Sequence, residues 1–332
     1  VSDLSLVFDV GGHGARAALF DSHTAMLVRQ ADIPVGEISA SDDLQATLGG
    51  LLNRAAAALG DVAVRHVVIA APGPVTAGRV DRLPTLFPGR NGGVDLVLIG
   101  RRLWPGAAIW ACNDLTAAGY GFIAQGYRDF CVLTCGSGIG AKLFLDGRPL
   151  LGGRGMGGEI GHWQVPGAPP LRCDCGGIGH LGTIGSGRGA VRLAHHYAAQ
   201  NPRGFAGSSL ASAVDAAAQV DSQLLVAGFR GGDAWTVGVI DAAAAAIGSA
   251  LALVHLATGI ERFFVTGGFA CALGHEFGQR IGHHAAAMAW DSGTDWSCAV
   301  EVMPPDTECG LLGAGQMPNL VAPDWQPEPV CA

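Results

Sequence analysis

Short apolar runs that end at glycine clusters recur along this chain, and their spacing predicts alternating strands and helices. The segment "LSLVFDVGGHGARAALFD" (4–21) reads as a strand, a glycine turn and a second strand, Ala15–Phe20, returning beside the first. A helical stretch follows at about 44–59, then a buried strand in "HVVIAAPGPV" (66–75) and a strand-like segment in "AAIWACNDLTAAGYG" (107–121). The strand–turn–strand unit then returns in "DFCVLTCGSGIGAKLFLDG" (129–147). A further apolar strand ending in glycines, "RFFVTGGFA" (262–270), lies between two helical stretches. The first of these contains "DAAAAAIGSALALVHLA" (241–257), which suits a buried helix better than a membrane span at that length and polarity. "DTECGLLGAGQM" (306–317) reads as a helix opening near Asp306 or Thr307, where a side-chain oxygen can cap the first free amides. A repeated strand–turn–strand unit suggests two similar α/β domains, each offering a glycine hairpin to a cleft between them.

Composition narrows the classes. At 332 residues the chain exceeds what one hydrophobic core usually organises, so two domains are expected. A net charge of -8 and the absence of any basic run argue against nucleic acid as a partner. The N-terminus shows no basic stretch before its short apolar run, so no signal peptide is expected there, and no membrane association is foreseen. Nine cysteines without an export signal fit reduced thiols in the cytoplasm, with metal binding where they cluster. Only Cys173 and Cys175 lie close enough for that.

Three kinds of candidate chemistry stand out. Glycine turns let a backbone approach a phosphate without a Cβ in the way, and Gly11-Gly12 and Gly136-Ser137-Gly138 repeat that device. Read alone, each is also an ordinary hairpin. Asp114 follows an apolar strand, at the kind of strand edge where α/β folds place their sites, but "ND" is equally a helix cap. "CDCGGIGHLG" (173–182) holds two thiols and a histidine. These could be part of a zinc site; the alternative is a glycine-rich loop that happens to carry two cysteines.

Taken together and in order, these segments resemble the ROK family of sugar kinases and related repressors, within the actin/hexokinase-like superfamily. "DVGGHGARAALFD" and "LTCGSGIGAKLFLDG" are similar to its two phosphate motifs, and "APGPV" (71–75) to the turn before its sugar loop. Asn113-Asp114 resembles its catalytic pair, "GEIGHW" (158–163) its sugar motif, "CDCGGIGH" its zinc motif and "VTGGFA" (265–270) its adenosine motif. The resemblance implies a two-domain α/β actin/hexokinase-like (ribonuclease H-like) fold with a cleft between the domains. One domain is expected at 1–112 plus 306–332 and the other at 113–305. It implies ATP and Mg2+ as cofactors, a structural Zn2+, a homodimer and a small polyol as substrate.

By the same resemblance, Asp9 orients the magnesium–phosphate end, and Gly11, Gly12, His13, Gly136, Ser137 and Gly138 hold phosphate. Gly267 and Gly268 pass the adenosine. Asp114 is the general base, and Asn113, Glu159 and His162 engage substrate hydroxyls. His162, Cys173, Cys175 and His180 bind zinc, which would fix the His162 ring. A non-catalytic sugar sensor is the alternative. The family's repressors carry a DNA-binding domain before the first motif, and only eight residues precede Asp9 here.

Several positions depart from the family pattern. His13-Gly14 replaces Thr-Lys, His180 replaces the last thiolate of the zinc motif, and Gly182 stands where a glutamate holds hydroxyls near the anomeric end of the sugar. Thr85 and Arg90 alter the sugar loop. The transfer machinery is kept while substrate recognition has changed, which points to a hexose, an aminosugar or a carbasugar cyclitol as the acceptor.

Overall fold

The computed structural model describes residues 3–11, 14–34, 43–81, 83, 86–87, 92–290, 293–305 and 307–321. The chain divides into two compact units. The first comprises the described parts of Val1–Arg128, Gly147–Gly157 and Glu308–Ala332, and the second Asp129–Asp146 and Gly158–Thr307.

In the first unit the sheet runs Met26–Pro34, Gly14–Asp21, Leu4–Gly11, His66–Ala71, Ala108–Asn113 in spatial order. The first three strands are antiparallel neighbours and the last two join in parallel. Alternation sends Leu6, Phe8 and Val10 to one face and Val7 to the other, and both faces are covered. One face carries the helix Leu44–Ala58, whose buried Leu44, Leu48, Leu51, Leu52 and Ala55 recur at helical spacing. Its first turn is capped by Asp43, whose Oδ1 accepts from the Ala46 amide at 3.1 Å. The other face carries the helices Asp114–Ala124 and Cys309–Leu320. These two approach so closely that a Cβ on Gly313 would lie 1.9 Å from the Ala117 carbonyl oxygen.

The second unit repeats the arrangement. Phe130–Cys135 pairs antiparallel with Ile139–Leu145 and parallel with Phe263–Thr266, which in turn pairs parallel with Val300–Val302. Beside this sheet lies the helix Ala234–Thr258, capped by Asp233 and closed at Gly259 in the left-handed conformation. Among the described residues it is the one helix long and apolar enough to cross a membrane, yet 61% of its most apolar window is buried inside the protein. Val239, Ile240, Ile247 and Leu251 join the core with Phe263, Phe277 and Ile281.

Four expectations need correction. The strand-like stretch 107–121 is a strand only to Asn113; Asn113 then caps a helix that begins at Asp114. That helix adds Ala117 and Tyr120 to the core of the first sheet, so the first unit runs on to Arg128 rather than ending at residue 112. The strand expected at 66–75 stops at Ala71, since Pro72 has no amide to donate to a ladder. The last helix begins at Cys309, with Glu308 at the cap position making no side-chain cap bond; Asp306 lies outside the described residues. The strand Met26–Pro34, which the expected elements do not include, is a mostly exposed edge.

Candidate active-site residues and a candidate metal centre

In the first unit, the hairpin register places Asp9 directly opposite Arg16 and Gly11 opposite Gly14. The Arg16 guanidinium bonds both the Asp9 and the Glu308 carboxylates. Gly12 and His13 lie outside the described residues, as do Thr85 and Arg90. Asn113 ends the strand Ala108–Asn113. Its Oδ1 accepts from the amides of Leu115 (3.0 Å) and Thr116 (3.2 Å), and its Nδ2 donates to the Gly73 carbonyl at 3.0 Å. The cap reading of Asn113 therefore holds, and the same side chain ties the helix start to the "APGPV" turn. Among the described residues, one N–H of the amide nitrogen is left for a further acceptor.

Asp114 is half-buried in the first turn of that helix, and its Oδ1 accepts from the Leu115 amide at 2.8 Å. The positive end of the helix dipole favours an anion at this position. Behind it, burial pushes the Cys112 thiol far above its ordinary range and the charge of Asp114 adds to the effect, so Cys112 is an inert packing group.

In the second unit, two expected turns come together. Gly136-Ser137-Gly138 closes the hairpin, with the Gly136 amide bonded to the Gly138 carbonyl at 3.1 Å. Gly267 follows the strand Phe263–Thr266 with φ of 98°, and a Cβ there would lie 2.7 Å from the Cys135 carbonyl carbon, so only glycine fits. Gly268 opens the next helix, and its amide lies 3.9 Å from where a Gly136 Cβ would sit. The helix Gly187–Gln200 starts at the same place, its Gly187 amide donating to the Gly136 carbonyl at 2.8 Å.

Glu159 stands half-buried just before the single turn Ile160–His162 and makes no cap bond there, while the His162 side chain is exposed. The ligand atoms of His162, Cys173, Cys175 and His180 all lie within 4.8 Å of one another. Cys173 Sγ is 3.9 Å from His162 Nδ1, and Cys175 Sγ is 3.3 Å from His180 Nδ1. Zinc bonded tetrahedrally to sulfur at about 2.3 Å and nitrogen at about 2.0 Å sets S···N separations near roughly 3.5 Å. The two observed values bracket that figure, so the donor set fits such an ion. Both thiols are free rather than joined in a disulfide.

The loop between the two cysteines is braced from the helix Gly187–Gln200. Asp174 pairs with Arg188 at 3.3 Å and with Arg192 at 3.1 Å, and Arg188 Nε also donates to the Ser137 carbonyl at 2.8 Å. Gly182 opens a short helix, and a Cβ there would meet the Gly161 carbonyl oxygen at 3.4 Å, ordinary contact without forbidden backbone geometry.

Sequence reasoning passed over Arg16, Glu308, Asp174 and Arg188. Arg16 was within reach, because a hairpin that turns between Gly11 and Gly14 pairs residues 9 and 16. The other three meet their partners only through tertiary packing.

The sequence profile of the ROK family matches residues 6–316. A C(7)-cyclitol 7-kinase of Streptomyces hygroscopicus subsp. jinggangensis is 33% identical over 94% of this chain and 93% of its own. An N-acetylmannosamine kinase of Salmonella typhimurium is 30% identical over 57% of this chain and 64% of its own. Among solved structures, the ROK hexokinase of Thermus thermophilus has a TM-score of 0.70 at 24% identity, covering 95% of this chain and 97% of that one. A ROK glucokinase of Streptomyces griseus, solved with glucose and AMPPNP, has 0.70 at 23%, covering 95% and 98%. These two likenesses establish the actin/hexokinase-like fold. The profile match and the full-length curated relative go further, and on them the chain belongs to the ROK family.

Proposed function

We propose that this protein is a kinase that transfers the γ-phosphoryl group of ATP to the primary hydroxyl of a cyclitol with seven carbons. The kinase class follows from membership of the family and from curated relatives that phosphorylate a cyclitol or an aminosugar. The observation that carries the choice of acceptor is the full-length relationship to a C(7)-cyclitol 7-kinase; the aminosugar kinase matches little more than half of the chain. Gly182 supports it. The family's glutamate at that position serves the anomeric end of a sugar, and a carbocycle has neither ring oxygen nor anomeric centre. Packing does not demand a glycine at 182, so the missing side chain is read as a matter of specificity.

In the reaction, the acceptor oxygen attacks the γ-phosphorus as the bond to the β-phosphate oxygen breaks and ADP departs. Asp114 accepts the hydroxyl proton, and Asn113 holds the helix that carries it while donating its remaining N–H to the acceptor. Gly11, Gly136, Ser137 and Gly138, with Gly12 and His13, offer backbone and side-chain donors to the phosphates, and Gly267-Gly268 lies along the adenosine. Asp9 would hold the magnesium–phosphate end, where the ion would neutralise charge on the transferring group. Glu159 and His162 engage acceptor hydroxyls. His162, Cys173, Cys175 and His180 would hold a structural zinc, and a metal on His162 Nδ1 would fix the ring so that Nε2 could serve the acceptor.

The test is ADP release with valiolone-type cyclitols, glucose, mannose and N-acetylmannosamine as acceptors, with Gly182→Glu run beside the parent protein. Cyclitol turnover should dominate, and Gly182→Glu should shift preference toward the hexoses. Preference of the parent protein for glucose or for the aminosugar would sink the assignment.

A further inference from the structure

We infer that Arg16, held from behind by Glu308, is a positioning residue for Asp9: it takes one carboxylate oxygen and leaves the other for the magnesium–phosphate end of the nucleotide. The inference rests on the reading of Asp9 given above, and its own content is the three-residue clamp. Three independent features of the first unit build it.

The first is register. Asp9 and Arg16 are direct partners across one antiparallel pair, and Arg16 and Asp32 are direct partners across the next. Directly opposed residues project to the same face of a sheet. Asp9, Arg16 and Asp32 therefore form a single rung across three strands, and the cation occupies its middle.

The second is the way the guanidinium is used. Nη2 bonds Asp9 Oδ2 while Nη1 bonds Glu308 Oε2, so one planar group bridges two carboxylates. Glu308 immediately precedes the helix Cys309–Leu320, where a side chain usually caps the first amides, yet it makes no cap bond. Its carboxylate is committed to Arg16 instead.

The third is the helix start itself. A Cβ on Gly310 would lie 2.9 Å from Asp9 Oδ2, so the first turn of the helix passes against the same oxygen that Arg16 holds. Arg16 and Gly310 thus close off Oδ2, and among the described residues Oδ1 makes no hydrogen bond. A carboxylate pinned in this way presents one defined oxygen. Released, it could rotate or bind the ion through both oxygens.

Removing the arginine has two opposed consequences, and they give the test its sign. Losing a cation from a cluster with three carboxylates makes the site more negative, which by itself would strengthen magnesium binding. Losing the clamp frees Asp9, which would weaken productive binding and slow transfer. The clamp predicts that the second effect wins.

The experiment measures ADP release as a function of Mg2+ at fixed ATP, with valiolone as acceptor and glucose in a parallel arm. The proteins are the parent, Asp9→Asn, Arg16→Gln, Arg16→Lys and Glu308→Gln, each with a melting curve. Arg16→Gln should lower kcat by roughly ten-fold or more, as small misplacements of catalytic groups do, and raise the Mg2+ concentration for half-activation. Acceptor KM should not change. Arg16→Lys should recover part of both effects, since lysine keeps the charge but cannot bridge two carboxylates with a planar fork. Glu308→Gln should move both in the same direction by less.

Unchanged kcat and Mg2+ dependence in Arg16→Gln, with Asp9→Asn impaired, would overturn the clamp and leave the role of Asp9 standing. A half-activation concentration that falls would also overturn it, leaving only a charge effect. So would a loss of activity with an unmoved Mg2+ midpoint and no recovery by Arg16→Lys, which marks a purely structural role. Unimpaired Asp9→Asn would remove the reading of Asp9 and the clamp together.

Discussion

Asp114 illustrates how much of a site depends on a single transition in the chain. The strand ends at Asn113, the helix starts one residue later, and the carboxylate is left in the first turn with its Oδ1 on the Leu115 amide. Asparagine at this position keeps an oxygen that can accept the same amide hydrogen, but it cannot take a proton from the acceptor. Asp114→Asn should therefore retain the fold and lower kcat by about 100-fold to 10,000-fold, the usual range for a lost general base. Circular dichroism checks the fold and ADP release the rate; turnover within a few-fold of the parent protein would remove Asp114 from the mechanism. Adjacent Cys112, whose thiol is held neutral by burial, should stay unreactive toward alkylating reagents in the folded protein.

At the scale of elements, the longest helix of the second unit shows how its boundary depends on one acidic cap. Asp233 Oδ1 accepts from the Thr236 amide at 2.8 Å and from the Thr236 hydroxyl at 2.7 Å, and Oδ2 accepts from the Ser209 amide at 2.7 Å. Partial burial disfavours the charged form, but these bonds outweigh it, and the Asp233 pKa lies below its ordinary value. A carboxyl with a depressed folded-state pKa adds stability above its unfolded-state pKa and loses it as pH falls toward the folded-state value. Asp233→Ala should therefore cost about 1 kcal/mol at neutral pH, the usual worth of such a cap, and the gap from the parent protein should narrow in acid. Urea unfolding at pH 7 and near pH 3 measures both; a gap that is constant with pH would assign the loss to packing rather than to the charged cap.

For the whole molecule, the His/Cys cluster and the 136–138 turn of the second unit are joined through the helix Gly187–Gln200. Asp174 sits between the two cysteines and pairs with Arg188, which also holds the Ser137 carbonyl. These pairs are exposed, so each contributes little stability alone, and on the zinc reading proposed above the order of the loop would rest on the metal. Stripping zinc with a strong chelator should raise amide hydrogen exchange in the segment 158–182 and, through Arg188, at the 136–138 turn. The sheet of the first unit should be unaffected. Mass spectrometry of the exchanged protein resolves these segments. Equal protection with and without chelator, in a protein shown to have contained zinc, would separate the metal from the order of the loop.

The division of information between sequence and tertiary structure follows from the range of the forces involved. The two hairpins, the apolar strand before Gly267 and the long alanine-rich helix were legible because hydrophobic alternation and glycine turns act between near neighbours. The gathering of His162, Cys173, Cys175 and His180 was legible too, since three of the four lie within a few residues of one another and a resemblance supplied His162. Asp9 and Arg16 follow from a register that any tight hairpin between Gly11 and Gly14 would share. What only the tertiary structure decided is long-range. It places Glu308 on a guanidinium 292 residues away, a helix start against Asp9, and Arg188 between Asp174 and Ser137. It also folds Asp114–Ala124 into the first unit, because the packing of that helix against Cys309–Leu320 joins segments from distant parts of the chain. No local pattern encodes such pairings, because the partners become neighbours only once the sheets and their covering helices have packed.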